Sequence, residues 1–275
     1  MKKIEQIIGL IILCLIMGCE KKTVWSLQNE QKETIIVDGM ITNEKKVHQI
    51  KLTFPVQQLN DIAQPVSGAV VLISDKDSVY TLTENPVQKG IYETSSYFIG
   101  KVGNYYNLYI NYNNEKIITA RSILLREQTF NPIKYEQVNN TDLYQITWIA
   151  DDYNAENYAM YEVLLDWSMV PGYETLNPNS CKARLLYYTL PTIDVSQVFA
   201  PDKQKIYFPK GTLVNEKRYT ITREHAEFVR ALLAETNWQG GLFDSAHSGL
   251  PGNIEGEASG FFAACGVSTL SLIIN

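Results

Sequence analysis

The stretch VHQIKLTF, Val47 to Phe54, decides the fold class. Apolar Ile50, Leu52 and Phe54 alternate with polar Gln49, Lys51 and Thr53, and a strict period of two marks a strand that is buried on one side and wet on the other. Pro55 ends the run, because proline has no N–H to give a ladder. On this reading His48 falls on the polar face, as a solvated side chain rather than a ligand.

Working outward, the same signals recur at short spacing. Thr34 to Val37 begins a strand, and Asp38-Gly39 offers a turn or bulge. Ala69 to Ser74 is a buried strand of β-branched residues, and Ser78 to Leu82 alternates again. Gly90 turns into Ile91-Tyr92-Glu93, and Gly103-Asn104 turns into Tyr105 to Ile110. Asn113-Asn114 then leads to Lys116 to Ala120. Short strands with regular turns predict an Ig-like antiparallel β-sandwich over residues 34–122. Seventeen tyrosines agree, since aromatic and β-branched residues fit pleated surfaces.

The rhythm breaks from Arg126 to Pro132, which places a boundary there. Residues 126–275 are expected to form a second β-sandwich-like domain, with strands at 143–149, 158–167, 184–190, 205–208, 218–222 and 261–274. One helix is expected at 223–235, capped by Thr222, with Glu224 in its first turn and Phe228, Val229, Leu232 and Leu233 as its apolar stripe.

The first residues carry an address. Lys2-Lys3 precede an apolar run, Ile7 to Met17, too short for an ordinary membrane span but suited to an export leader. The run ends Leu15-Ile16-Met17-Gly18-Cys19, which resembles a bacterial lipoprotein lipobox. The resemblance implies cleavage after residue 18, with a diacylglycerol on the Cys19 sulfur and acylation of the new amino group. Two or more chains anchor firmly where one binds reversibly. Residues 19–33 then form a polar tether. In some lipoproteins an acidic cluster directly after the cysteine resembles a surface-export signal; here Glu20 is followed by two lysines, so that resemblance is absent and the side of the membrane on which the chain is displayed stays open.

Two further cysteines, Cys181 and Cys265, either pair as a disulfide in an oxidising compartment or stay as buried thiols. The net charge of −6 moves to −7 once the leader removes two lysines and one glutamate, which gives no electrostatic pull on nucleic acid. His225 reads as a local, structural residue of the helix's first turn. His247, beside Asp244 and Ser245, lacks the separately positioned base a hydrolase needs. Asp75-x-Asp77 and Asp151-Asp152 read as turn chemistry, short of a calcium loop's ligands. No nucleotide fingerprint is present. The expectation is therefore a non-enzymatic chain without cofactor or metal. Trp167, Tyr173 and Trp238, which flank long loops, are the candidates for a contact surface.

The segments Ile35-Ile36-Val37-Asp38-Gly39-Met40-Ile41-Thr42-Asn43-Glu44, Pro65 to Val71, Gly90-Ile91-Tyr92, Gly103 to Leu108, Pro251 to Ile254 and Gly260-Phe261-Phe262, taken in this order, resemble the DUF4249 lipoproteins of Bacteroidota. The first domain also resembles transthyretin-like and carboxypeptidase-regulatory sandwiches, through Pro-Val-Ser-Gly-Ala and the later Gly-x-Tyr. The family resemblance implies an outer-membrane lipoprotein, often encoded near a TonB-dependent receptor, and carries no catalytic residues across. It leaves the ligand unknown. The expected role is an accessory binding subunit in nutrient uptake; the alternatives are an envelope structural or adhesion protein, or a hydrolase of unrecognised type.

Overall fold

The computed structural model describes residues 34–56, 61–149, 157–190, 206–236 and 250–275. The first part of the chain forms β1 (Ile35–Thr42), β2 (Gln49–Thr53), β3 (Val70–Ser74), β4 (Val79–Thr81), β5 (Thr83–Glu84), β6 (Ile91–Glu93), β7 (Tyr105–Tyr112) and β8 (Lys116–Ile123). The second part adds β9 (Lys134–Gln137), β10 (Leu143–Trp148), β11 (Ala159–Asp166), β12 (Lys182–Thr189), β13 (Phe208–Pro209) and β14 (Leu213–Thr220). The helix α1 (Arg223–Thr236), then β15 (Ile254–Glu255) and β16 (Ala258–Ile273), complete the described elements. The chain is mainly β, with its sheets stacked as sandwiches.

One sheet has eight strands in the order β12-β11-β14-β16-β1-β2-β6-β5. Its β16-β1-β2-β6-β5 half faces the five-stranded sheet β15-β8-β7-β3-β4 across a core that includes Ile41, Leu52, Ile73, Leu108, Ile118 and Phe262. Its β12-β11-β14 half faces the small sheet β13-β10-β9 across Val163, Leu165, Leu185, Phe208 and Val214.

β16 belongs to both sandwiches. It runs for 16 residues, about 50 Å of extended chain, pairing parallel to β1 at its start and antiparallel to β14 at its end. Its even-numbered side chains point first into one core, at Phe262 and Ala264, and then into the other, at Leu272. Between them stands Gly266, over which the connection between the sandwiches crosses. A Cβ there would lie 2.4 Å from the Leu125 carbonyl oxygen and 2.5 Å from the Glu127 nitrogen. The stretch from Arg126 to Pro132, where the strand rhythm breaks, belongs to this connection between β8 and β9. The C-terminal segment does not stay on one side of it, because β15 and the first half of β16 complete the first sandwich.

The odd-numbered side chains of β16, Phe261, Ala263, Cys265 and Val267, are covered on the opposite face by α1 through Ala226 and Phe228. Thr222 caps that helix: its hydroxyl accepts from the His225 N–H at 3.2 Å and its carbonyl from the Ala226 N–H at 3.0 Å.

β1 runs unbroken through Asp38-Gly39, so no turn or bulge forms there. Gly39 instead makes room for its cross-strand partner Ile50, whose Cδ1 would lie 2.3 Å from an added Cβ. Asn113 and Asn114 turn β7 into β8 with φ near 55° and 59°, the left-handed values of a type I′ turn, which the Glu115 N–H closes by donating to Tyr112 O at 3.2 Å.

Candidate functional site

Among the described residues, one sheet face of the second sandwich is left open. Lys182, Asp166, Leu213 and Ile273 stand in one row across β12, β11, β14 and β16, and Arg184, Leu164, Asn215 and Ser271 form the next. Their neighbours along each strand, including Val163, Leu165 and Val214, point into the core, so these two rows face outward. α1 covers the same face further along, at Tyr219 and Val267, and leaves these rows uncovered.

The polar groups of the face largely satisfy one another. Lys182 Nζ meets Asp166 at 3.2 Å, and Arg184 Nε meets Glu162 at 2.6 Å. Ser271 Oγ donates to Asn215 Oδ1 at 2.6 Å, and Tyr219 donates to Glu162 at 2.9 Å. The Ser168 hydroxyl beside Asp166 holds that carboxyl below its ordinary range, with Lys182 adding to the effect. Near the first sandwich, Lys217 reaches Glu44 at 2.6 Å. Burial opposes the charge on Glu44, but hydrogen bonds from Lys217 and Lys46 outweigh it and hold the carboxyl at about 2.

With those charges mutually paired, apolar side chains remain exposed among them. Ile273 is 56% exposed, and Leu213 and Leu186 are each 41% exposed. Beside them a depression of about 400 Å³ is bordered by Leu164, Asp166, Lys182, Arg184 and Asn215. The long loop between β11 and β12 leaves from the same row. It is a chain of tight turns closed at its base by the Trp167 N–H donating to Cys181 O, and it exposes Met169 (87%) and Leu176. Exposed apolar side chains among paired charges have the composition of a contact surface.

The residues expected to form a contact surface are distributed differently. Trp167 packs half-buried against the second core, and Tyr173 is half-buried within the loop, so Met169 and Leu176 provide the exposure instead. Cys19, Trp238, His247 and Asp151-Asp152 lie outside the described residues. Cys181 and Cys265 are free and buried, not paired. The register explains why: Cys181 adjoins the Lys182 row that ends at Ile273, and Cys265 lies eight positions back along β16, roughly 26 Å away. A disulfide needs Cα atoms within about 7 Å.

His48 is buried, at 2% exposure, rather than solvated. It shares the parity of Ile50 and Leu52, its Nε2 lies 2.9 Å from the Thr42 hydroxyl, and its ring meets Phe98 edge-on. Burial, assisted by Lys46, lowers its pKa to about 4. His225 is tertiary rather than local: it stacks on Phe261 at 4.7 Å, and its Nδ1 lies 4.0 Å from Cys265 Sγ. Burial lowers the imidazole to about 4 and raises the thiol to about 12, so both are neutral and form no activated pair. Asp75 accepts from the N–H groups of Asp77 and Ser78, the expected turn role. Among the described residues no cluster of three His, Cys, Asp or Glu side chains is placed to hold a metal.

The two most deeply buried of the described charged side chains, Glu216 and Arg218, carry no signal in the sequence pattern. Glu216, 2% exposed, accepts the Ile133 N–H at 3.1 Å, and burial raises its pKa to about 7. Arg218, two residues on along the same face of β14, bonds to Tyr161, Thr220 and Gln128. Together they tie down the connection that crosses between the sandwiches, so their role is structural.

The residues that carry the family resemblance also turn out to hold the fold. Asn43 bonds both backbone groups of Val267, and Asn253 bonds both of Phe262. Gly260 lies against β1 with φ +115°, where an added Cβ would meet the Val37 carbonyl. A family model described as "Domain of unknown function (DUF4249)" matches residues 22–271. The chain belongs to the DUF4249 family. No curated protein matches this DUF4249 chain. Among solved structures, the chicken CNTN1 FN1-FN3 domains are similar at 11% identity and a TM-score of 0.27, covering 67% of this chain and 59% of that one. A two-domain fibronectin type-III segment of chicken tenascin is similar at 10% identity and a TM-score of 0.21, covering 68% of this chain and 89% of that one. At those scores the sandwich architecture rests on the strand pairing itself.

Proposed function

We propose that this chain is an outer-membrane lipoprotein of the Bacteroidota type, anchored through Cys19, that serves as a non-enzymatic binding subunit of a TonB-dependent transporter in nutrient uptake. The observation that carries the reading is the open face of the second sandwich. Leu186, Leu213 and Ile273 are exposed there among mutually paired charges, beside a loop that exposes Met169 and Leu176.

The test is a mild-detergent pull-down of the C-terminally tagged protein from its native outer membrane, followed by mass spectrometry. A stoichiometric TonB-dependent transporter, lost in the double variant Leu213→Asp and Ile273→Asp, is the expected result. Recovery of the protein alone at native expression overturns the reading.

A further inference from the structure

The outer face of the first sandwich has a different chemistry. β7 lies at the centre of the five-stranded sheet, and its alternate side chains Tyr106, Leu108 and Ile110 fill the core. The side chains between them point outward, and they read in order Tyr105, Asn107, Tyr109, Asn111. The outward face of an antiparallel sheet ordinarily carries charge, which keeps it wet and unpaired. Here charge at the outward positions of the five strands is confined to Arg121, on β8 directly across from Asn107, and Glu255, on the edge strand β15. Both are already engaged: the Arg121 guanidinium lies 4.0 Å over the Tyr105 ring, and Glu255 accepts from the Thr119 hydroxyl at 3.2 Å. The remaining positions offer phenol rings, amides, hydroxyls and aliphatic groups.

From this pattern we propose that the face is a platform for an uncharged polysaccharide. A sugar ring has an apolar face of C–H bonds and a rim of hydroxyls. It therefore needs an aromatic surface and neutral hydrogen-bonding groups within one ring's reach of it. Along β7 the half-buried Tyr109 ring, on the outward face, and the exposed Asn107 amide are neighbours about 7 Å apart. Tyr105, braced by Arg121, follows at about 13 Å from Tyr109, which is room for more than one sugar unit. The scarcity of charge selects the class: an anionic polymer would require several free cations. The platform lies on the first sandwich and stands apart from the transporter-facing surface, so the two readings succeed or fail separately.

The experiment is affinity electrophoresis of the mature lipoprotein, held in a detergent without a sugar headgroup. The gels contain a neutral β-glucan, a galactomannan, an α-glucan or the anionic polygalacturonate. At least one neutral polymer should retard the protein. Tyr109→Ala should weaken the retardation at least fivefold, Tyr109→Phe should keep it, and Asn107→Ala should weaken it with an unchanged melting temperature. If Tyr109→Ala does not fold, the double variant Asn107→Ala and Arg121→Ala decides in its place. Retardation by none of the neutral polymers, retardation by polygalacturonate alone, or retardation that survives loss of the Tyr109 ring or of the Asn107 and Arg121 side chains overturns the proposal.

Discussion

Glu216 offers a quantitative test of the junction between the sandwiches. Its carboxyl is raised from 4.5 to about 7 by burial, with the Ile133 N–H only partly compensating. The folded-state pKa lies above the unfolded one, so the fold favours the protonated form. Its stability is least penalised below pH 4.5 and falls as the pH rises through about 7, reaching a loss of about 3 kcal/mol. Most of that, about 2.5 kcal/mol, develops between pH 5 and pH 8. Glu216→Gln has nearly the same shape and still accepts from Ile133, but it cannot ionise. His48 and His225 titrate in the opposite sense. Both are lowered from 6.5 to about 4, so the stability their burial allows is lost as the pH falls below 6.5. That slope is common to both proteins and cancels in their difference. Urea unfolding of the lipid-free mature chain at pH 5 and pH 8, followed by tryptophan fluorescence and far-ultraviolet circular dichroism, measures the comparison. The variant should gain about 2.5 kcal/mol on the parent between those two values. A difference that stays constant within about 0.5 kcal/mol refutes the assignment of Glu216 as a buried, poorly compensated carboxyl.

Three further outcomes are expected. Gly266→Ala drives a Cβ into the backbone of Leu125 and Glu127 and should cost about 2–3 kcal/mol, lowering the melting temperature by roughly 5–10 °C. Differential scanning calorimetry checks it. Cys181 and Cys265 should both resist a maleimide in the native protein and both react after unfolding without reductant; a denatured chain with no titratable thiol contradicts the free assignment. Cys19→Ser should abolish incorporation of an alkyne-tagged fatty acid during growth and leave the leader uncut, which in-gel fluorescence and intact-mass measurement follow.

The sequence made the strands legible and the surfaces obscure, for physical reasons. Alternation in VHQIKLTF places Ile50 and Leu52 inside, and the same parity places His48 with them. Only the polar character of imidazole argued otherwise, and the Thr42 hydroxyl supplies the partner that makes its burial tolerable. β14 reads LVNEKRYT, too polar to announce itself before Arg218, because Glu216 and Arg218 face a seam that exists only once the chain crosses at 125–133. β9 carries little signal in the sequence for a similar reason, as its residues are mostly exposed. The exposed row could not be read at all. Leu213 and Ile273 become neighbours only through the β14–β16 pairing, and no local pattern encodes which rows a helix leaves uncovered.

The most direct measurement of the central claim is site-specific photocrosslinking in intact cells, with a photoreactive amino acid placed in turn at Leu213, Leu186 and, as a control, at the exposed Val87 between β5 and β6, at the other edge of the eight-stranded sheet. Crosslinks to a TonB-dependent transporter from Leu213 and Leu186, with none from Val87, are the predicted result. Crosslinks from Val87 alone, or none to any transporter from the second sandwich, would contradict the account.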